Sequence, residues 1–98
     1  MYVQIAVTFD WDPKKEKANL QKHKVSFEEA STAFYDPLAK VAQDPDHSID
    51  ENRYILIGHS AKSNLLFVVH VYRDNSEIIR IVSARKATKR EIGDFEEL

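Results

Sequence analysis

The chain has 98 residues, of which 43% are hydrophobic and 31% charged, with a formal net charge of −2 and no cysteine. This length supports one compact domain over residues 1–98 and is too short for two hydrophobic cores. The absence of cysteine excludes a disulfide framework, a thiolate metal site and a thiol nucleophile and favours a reducing cytoplasm, while the mildly acidic balance argues against a protein that coats duplex DNA.

The chain opens with a predicted strand and a predicted helix. Residues 2–9 alternate loosely between apolar and polar side chains, as a half-buried strand does. Asp12 followed by Pro13 is a typical helix start and predicts a helix over residues 13–24. The apolar face of this helix is thin, so much of its surface must meet water or an anionic partner.

A second, shorter helix and a predicted strand follow. Ser26 and Glu29 have the spacing of a capping box, in which Ser26 caps the helix and Glu29 reaches back to its start. The helix must end before Pro37, which disfavours helical geometry in the residue ahead of it. Residues 38–43 can form a strand, and residues 44–48 are rich in turn formers and predict an exposed loop.

Three strands follow in close order, over residues 53–59, 65–73 and 77–85. The connections between them are short, which implies antiparallel hairpins. Residues 88–91 form a second capping box and open a short C-terminal helix with a stripe of Ile92, Phe95 and Leu98. The pattern predicts an α+β domain in which the elements follow the order βααββββα.

Charge is sorted along the chain rather than mixed. Residues 14–24 hold five lysines and one glutamate, whereas residues 28–51 hold seven acids and the single cation Lys40. No apolar run approaches the roughly 20 residues that a membrane-spanning helix needs, and the first residues lack the pattern of a secretion signal. We therefore expect a cytoplasmic protein with no membrane contact.

Positive charge is most concentrated around the last predicted strand. Between residues 80 and 90 there is no acid, and there are five cations: Arg80, Arg85, Lys86, Lys89 and Arg90. The local field, rather than the net charge, decides which ligand such a segment attracts. Cations at a helix start oppose the helix dipole, so an anion bound between them would explain their position. This arrangement is expected of a phosphate-binding site.

Strand alternation predicts that these cations lie on two faces of the sheet. It places Arg80 with Lys86 on one face and Arg85 on the other. Arg80 lies among aliphatic residues, where an unpaired guanidinium is costly. We expect it either to bind a ligand or to pair with an acid such as Glu77 or Asp94, and the residues favour neither alternative.

Four histidines are candidates for proton transfer, which arginine cannot perform because its pKa is too high. His70 lies between two valines in mid-strand, where a packing role is the stronger interpretation. His59 ends its strand beside Gly58, and His47 lies in the turn-rich loop, where functional residues often occur. His23 is typical of a residue that complements a helix C-terminus.

The same loop carries an acidic cluster that invites a metal-site hypothesis, consisting of Asp44, Asp46, His47 and Asp50. The spacing fits neither the twelve-residue calcium loop nor a helical histidine pair. We therefore expect no metal site and no cofactor. Arg53 follows the loop and faces away from the core if Tyr54 faces toward it.

Several short motifs run through nearly the whole chain. They are Phe-Asp-Trp-Asp-Pro at 9–13, Lys-His-Lys-Val-Ser-Phe-Glu-Glu-Ala at 22–30, Phe-Tyr-Asp-Pro-Leu at 34–38 and Ile-Arg-Ile-Val-Ser-Ala-Arg-Lys-Ala-Thr at 79–88. In this order the motifs resemble the BrnT toxin family. The family commonly has glycine where this chain has Lys24, and if that glycine serves a left-handed helix cap, lysine costs about 1 kcal/mol there.

The resemblance implies a toxin of a type II toxin-antitoxin pair, with a fold similar to the RelE-type ribonucleases and an activity that cuts RNA to arrest translation and growth. It also implies a ribbon-helix-helix antitoxin similar to BrnA, through which the complex would bind operator DNA. The helix over residues 13–24 and the acidic segment after it are then candidates for contact with that partner. The resemblance names no proton carrier, because RelE-like toxins share no fixed set of catalytic groups.

These observations predict a metal-independent endoribonuclease in which a ribose 2′-hydroxyl attacks the adjacent phosphate. Arg80, together with Arg85 or Lys86, is expected to bind and neutralise the phosphate, and His59 or His47 to transfer the proton. The further candidates for RNA binding are Ser83, Lys86, Lys89, Arg90 and Arg53. The alternative is a non-catalytic module that binds nucleic acid or an acidic partner helix, which the same cations would serve equally well.

Overall fold

The computed structural model describes residues 7–45 and 52–97. The elements in these ranges are β1 Thr8–Asp10, α1 Pro13–His23, α2 Phe27–Thr32, β2 Lys40–Gln43, β3 Arg53–His59, β4 Leu65–Arg73, β5 Ile78–Lys86 and α3 Lys89–Glu97. One turn of 3-10 helix, Ala33–Tyr35, follows α2 directly. The predicted α+β class and the element order βααββββα are confirmed. No helix in the described ranges has the length and apolar character that crossing a membrane requires.

The strand bounds differ slightly from those predicted. The described part of β1 reaches Asp10, and most of the predicted span lies outside the described residues. The strand β2 begins at Lys40 rather than at residue 38, because Asp36 holds the chain in a turn in which its side chain accepts a hydrogen bond from the Leu38 N–H at 2.9 Å. The strand β5 is shifted by one residue at each end and runs through Lys86.

The five strands form one sheet in the order β1-β5-β4-β3-β2. The pairs β3–β4 and β4–β5 are antiparallel, as the short connections predicted, and β2 also pairs antiparallel with β3. The strand β1 instead pairs in parallel with β5. The two helices α1 and α2 carry the chain from β1 at one edge of the sheet to β2 at the other.

The core lies between the sheet and the two helices α1 and α2. Its buried side chains are Val25, Phe27, Ala30, Ala33, Leu56, Leu66, Val68, Ile81 and Ala84. Ser26 caps α2 as predicted and accepts the Glu29 N–H at 2.9 Å. The predicted return contact from Glu29 is wrong, because its buried carboxylate instead accepts hydrogen bonds from the side chains of Ser60 at 2.7 Å and Asn64 at 2.9 Å. Burial works to raise the pKa of Glu29, but these hydrogen bonds outweigh it and the pKa lies below its ordinary value.

The end of α1 has the geometry that the family's glycine implied. Lys24 adopts a left-handed conformation with φ of 61°, and its N–H donates to the Leu20 carbonyl. A lysine there carries a conformational cost that glycine avoids.

A buried asparagine joins α1 to β5 beyond the end of β1. The side chain of Asn19 donates to the Ala84 carbonyl at 2.8 Å and to the Val25 carbonyl at 3.0 Å, and it accepts the Ala84 N–H at 3.1 Å. Since β1 pairs only as far as Arg80, the amide takes the place of a neighbouring strand at this point. The sequence analysis had given Asn19 no role.

Candidate functional site

A β-bulge interrupts the alternation of β5. The register pairs Val69 of β4 with Ser83 but pairs the next residue, His70, with Ile81. Val82 is therefore an extra residue in β5 with no partner in β4. An extra residue in one strand moves the side chains beyond it to the opposite face from the one that regular alternation predicts.

The bulge places both arginines of β5 on one face of the sheet. Phe67 and Val71 are four residues apart in β4 and point the same way, and their partners Arg85 and Arg80 share that face. It is the face opposite α1 and α2, because the β4 residues that alternate with these belong to the core. We call it the open face. Lys86 lies on the other face, so the prediction that Arg80 shares a face with Lys86 and not with Arg85 is wrong.

Arg80 has an acidic partner on the neighbouring strand. Parallel pairing sets Asp10 of β1 opposite Arg80, and Arg80 Nη1 lies 3.2 Å from Asp10 Oδ2. The expected partners Glu77 and Asp94 are therefore wrong. The two side chains remain 32% and 43% exposed, respectively. The second oxygen of Asp10 is buried and has no hydrogen-bond partner among the described residues.

Arg53 lies in the same transverse line as Arg80. The β4 residue Val71 pairs with Arg80 on one side and with Arg53 on the other. Tyr54, next to Arg53, faces the core side and contacts Tyr72 with ring centroids 5.1 Å apart. This confirms that Arg53 faces the other way. We call the set Asp10, Arg80, Val71 and Arg53 the arginine row.

Arg85 is held by a different set of contacts. Its guanidinium donates two hydrogen bonds to the Glu91 carboxylate, each 2.7 Å long, and lies 4.1 Å from the ring centroid of Phe67. The paired hydrogen bonds raise the pKa of Arg85 and lower that of Glu91. Glu91 also accepts the Thr88 N–H at 2.8 Å, and Thr88 Oγ1 accepts the Glu91 N–H at 3.2 Å, which confirms the second capping box. Arg85 therefore anchors the start of α3 on the open face.

The helix α3 crosses the open face at one transverse line. Lys40 Nζ donates to the Phe95 carbonyl at 3.0 Å and lies 5.2 Å from the Phe95 ring centroid. Lys40 and Arg85, which anchor the two ends of α3, lie in one row across the sheet. The strand pairing gives the residues of this row as Lys40, Ile57, Phe67 and Arg85. The helix thus leaves the arginine row on one side of it and the end of β3 on the other.

His59 lies at that far end and is paired with an acid. Its Nδ1 is 3.1 Å from Asp36 Oδ2, and its backbone N–H donates to the same oxygen at 2.7 Å. These contacts, the backbone hydrogen bond first, lower the pKa of Asp36. His59 is six positions along β3 from Arg53 and two strands from Arg80, or about 20 Å from the arginine row. The structure does not bring His59 and Arg80 to one phosphate.

His70 is a core residue, which confirms the packing interpretation. It is fully buried, with Nε2 3.1 Å from the Tyr72 hydroxyl and its ring 4.8 Å from that of Phe34. Burial lowers the pKa of His70 to about 4, so the ring is neutral at neutral pH. It is not available for proton transfer to a solvent-borne substrate.

The remaining predicted residues lie partly outside the described ranges. His47, Asp46 and Asp50 lie outside the described residues. In the parts of the chain that are described, no three His, Cys, Asp or Glu side chains come together as a metal site would require. Lys89 and Arg90 are exposed at the start of α3.

Comparison with known proteins agrees with these motifs and with this fold. The model of the BrnT family, ribonuclease toxins of type II toxin-antitoxin systems, matches residues 11–91. The chain belongs to the BrnT family. A crystal structure of the ribonuclease toxin BrnT from Brucella abortus is similar with a TM-score of 0.66 and 22% identity, and the match covers 86% of this chain and 100% of that one. That likeness shows a shared fold. No protein with a curated description matches.

Membership of a type II toxin-antitoxin family implies an antitoxin as partner and a ribonuclease activity. The geometry divides the cations that such an activity needs into separate groups. Arg80 and Arg53 lie together in the arginine row, Arg85 is committed to α3, and Lys86 lies on the opposite face. The sequence analysis missed Asp10, because only the parallel pairing of two distant strands sets it beside Arg80.

Proposed function

We propose that this BrnT-family protein is a metal-independent endoribonuclease that cuts RNA to inhibit translation and growth, and that the arginine row binds the phosphate at which RNA is cut. The observation that supports this most is the environment of Arg80. One 3.2 Å contact with Asp10 occupies a guanidinium that carries five N–H donors. The other donors of Arg80 have no partner among the described residues and can bind a phosphate, whereas Arg85 has both terminal nitrogens bound to Glu91.

In the proposed reaction a ribose 2′-oxygen forms a bond to the adjacent phosphorus, and the bond from phosphorus to the 5′-oxygen breaks. The products are a 2′,3′-cyclic phosphate and a 5′-hydroxyl. Arg80 and Arg53 neutralise the charge that builds on the phosphate oxygens. No step requires a metal ion, since the nucleophile is part of the substrate.

Asp10 is the group that we assign to proton transfer. Asp10 lies in the arginine row and contacts Arg80 in the absence of RNA. When a phosphate binds to Arg80 in its place, the Asp10 carboxylate becomes free to accept the proton of the 2′-hydroxyl. Water then gives a proton to the leaving 5′-oxygen, and the hydroxide that remains takes up the proton held by Asp10, which restores the carboxylate. His59 has a suitable acid partner in Asp36, but it lies about 20 Å away on the other side of α3.

The proposal includes the partner and the compartment. The protein acts in the cytoplasm as one domain over residues 1–98 and is neutralised by a ribbon-helix-helix antitoxin similar to BrnA. Operator DNA is bound by the complex through the antitoxin. Family membership supports an antitoxin partner, and the lack of cysteine suits a reducing compartment.

The test is cleavage of single-stranded RNA by purified, antitoxin-free protein in the presence of EDTA. The wild type should yield products with 2′,3′-cyclic phosphate ends, and Arg80→Ala should lower the rate about 100-fold or more. Lys62→Ala is the control, because it removes one positive charge from an exposed position in the turn between β3 and β4, at the end of the sheet away from the arginine row. It should cleave at the wild-type rate.

Three results would count against this proposal. A folded Arg80→Ala protein with wild-type activity removes Arg80 from the site. Cleavage that stops with EDTA and returns with a divalent ion replaces the metal-independent reaction with a metal-dependent one. A folded protein that binds RNA without cutting it supports the non-catalytic binding module.

A further inference from the structure

A cleft of about 250 Å³ lies between α1 and the outer edge of β5. It exists because the pairing of β1 with β5 ends at Asp10 and Arg80, so that beyond Arg80 the edge of β5 faces α1 instead of another strand. The side chains that matter here are Lys15, Lys22 and His23 on the helix and Ser83 on the strand. None of the described residues that line the cleft is acidic.

The two lysines are held on either side of a rigid point. Lys15 and Lys22 are seven residues apart, about two helical turns, and lie on the same side of α1 as Asn19. The three hydrogen bonds of Asn19 tie that side of the helix to Ala84 of β5 and to Val25. The helix therefore carries both lysines along the strand edge, two turns apart.

These cations have no partner among the residues that the structure describes. Within residues 7–45 and 52–97, Lys15 and Lys22 have no hydrogen-bond or ion-pair partner. The same is true of His23. Both N–H groups of the Asn19 side chain are used, so the side-chain donors on α1 that are left for a ligand belong to the two lysines and to His23. A set of cationic and hydroxyl donors without an acid is the chemistry of a phosphate site.

We propose that this cleft binds a backbone phosphate of the RNA beside the one held by the arginine row. The inference rests on the proposed ribonuclease function and adds a second contact to it. Arg80 and Ser83 are three positions apart on β5, about 10 Å, a distance that a short stretch of RNA backbone can bridge. The cleft contacts phosphate and not bases, so it strengthens binding without selecting a sequence.

The probe is a fluorescein-labelled 2′-O-methyl RNA oligonucleotide, which lacks the attacking hydroxyl and stays intact during the measurement. Its affinity for the full chain is measured by fluorescence anisotropy over a series of salt concentrations. The test variant is Lys15→Gln with Lys22→Gln. The control is Lys14→Gln with Lys17→Gln, which removes the same charge from exposed positions of α1 that do not line the cleft.

Loss of two phosphate contacts should reduce the slope of log affinity against log salt by about 1.4, or about 25-fold in affinity near 0.1 M salt. The control pair should change the slope by less than half as much. Equal effects of the two pairs would mean that only the charge of α1 matters, and the cleft proposal would be overturned. So would a cleft variant that binds RNA normally but no longer binds the antitoxin, since the cleft would then be a partner contact.

Failure of this inference is distinguishable from failure of the proposed function. If Arg80→Ala abolishes cleavage while the cleft variant binds and cleaves like the wild type, only the cleft proposal falls. If the wild type binds the oligonucleotide through Lys15 and Lys22 but cuts no RNA, the cleft stands as a binding site and the ribonuclease proposal falls. Thermal unfolding of both double variants checks that the fold is unchanged.

Discussion

The two arginines of β5 should respond in opposite ways to the same substitution. Arg85→Ala removes two 2.7 Å charge-assisted hydrogen bonds to Glu91 and the contact with the Phe67 ring at 4.1 Å. The side chains of Arg85 and Glu91 are 34% and 20% exposed, so solvent screens part of the interaction. We expect Arg85→Ala to lower the free energy of unfolding by about 2 to 3 kcal/mol.

Arg80→Ala removes one 3.2 Å contact between two more exposed groups. Such a pair contributes about 0 to 1 kcal/mol, so this protein should unfold close to the wild-type urea concentration. Its RNA cleavage should nevertheless be lost. Arg85→Ala should cleave RNA at about the wild-type rate when it is assayed without urea and at a low temperature, where it remains folded. The reason is that Arg85 anchors α3 and does not contact the phosphate.

The assay is equilibrium urea unfolding together with the initial rate of RNA cleavage on the same preparations. Glu91→Gln is the partner control, since it breaks the same pair from the other side and should destabilise the protein in the same direction. If Arg85→Ala unfolds like the wild type and is inactive, the anchoring role is refuted and Arg85 belongs to the site. If Arg80→Ala loses 2 kcal/mol or more, its effect on cleavage no longer identifies a phosphate contact.

Three further predictions concern single residues. Asn19→Ala should cost about 3 kcal/mol in urea unfolding, because it leaves backbone groups of Ala84 without their partner, and an effect below 1 kcal/mol would refute the bridging role. The pKa of His70 falls from 6.5 to about 4 on folding, so the unfolded chain binds the proton first as the pH is lowered. The free energy of unfolding should therefore drop by about 2 kcal/mol from pH 7 to pH 5. His70→Phe should remove most of this pH dependence, and an unchanged dependence would assign it to other groups. Asp10→Asn should abolish RNA cleavage in the same assay while His59→Ala retains it, and the reverse result would move the proton carrier to the end of β3.

The parts of the fold that the sequence predicts correctly are those determined by residues close together in the chain. The capping box at residues 88–91 and the two hairpins between residues 53 and 86 are set by local sequence, and both are confirmed. The return contact of Glu29 failed for the opposite reason. Its carboxylate has two better donors, Ser60 and Asn64, which are more than thirty residues away in the chain.

The candidate site divides in the same way. Charge clustering identified Arg80 and Arg85, but their relation depends on the register between β4 and β5. Alternation within β5 alone gives the wrong faces, because one unpaired residue, Val82, is visible only when the partner strand is present. The position of Asp10 beside Arg80 likewise depends on the parallel pairing of β1 with β5. These two strands are far apart in the sequence, so no short connection predicts that they pair.

The bulge at Val82 resolves a conflict between the core and the cations. Ile81 and Ala84 are both buried beneath the helices, although an odd spacing of three would put them on opposite faces of a regular strand. If the same sequence formed a regular strand with Ala84 in the core, Arg80 would face the same apolar interior, where an unpaired guanidinium is costly. The bulge instead lets both apolar residues face the core while Arg80 and Arg85 face outward. It also lies at the strand edge that Lys15 and Lys22 face, beside the cleft that the short pairing of β1 with β5 leaves open.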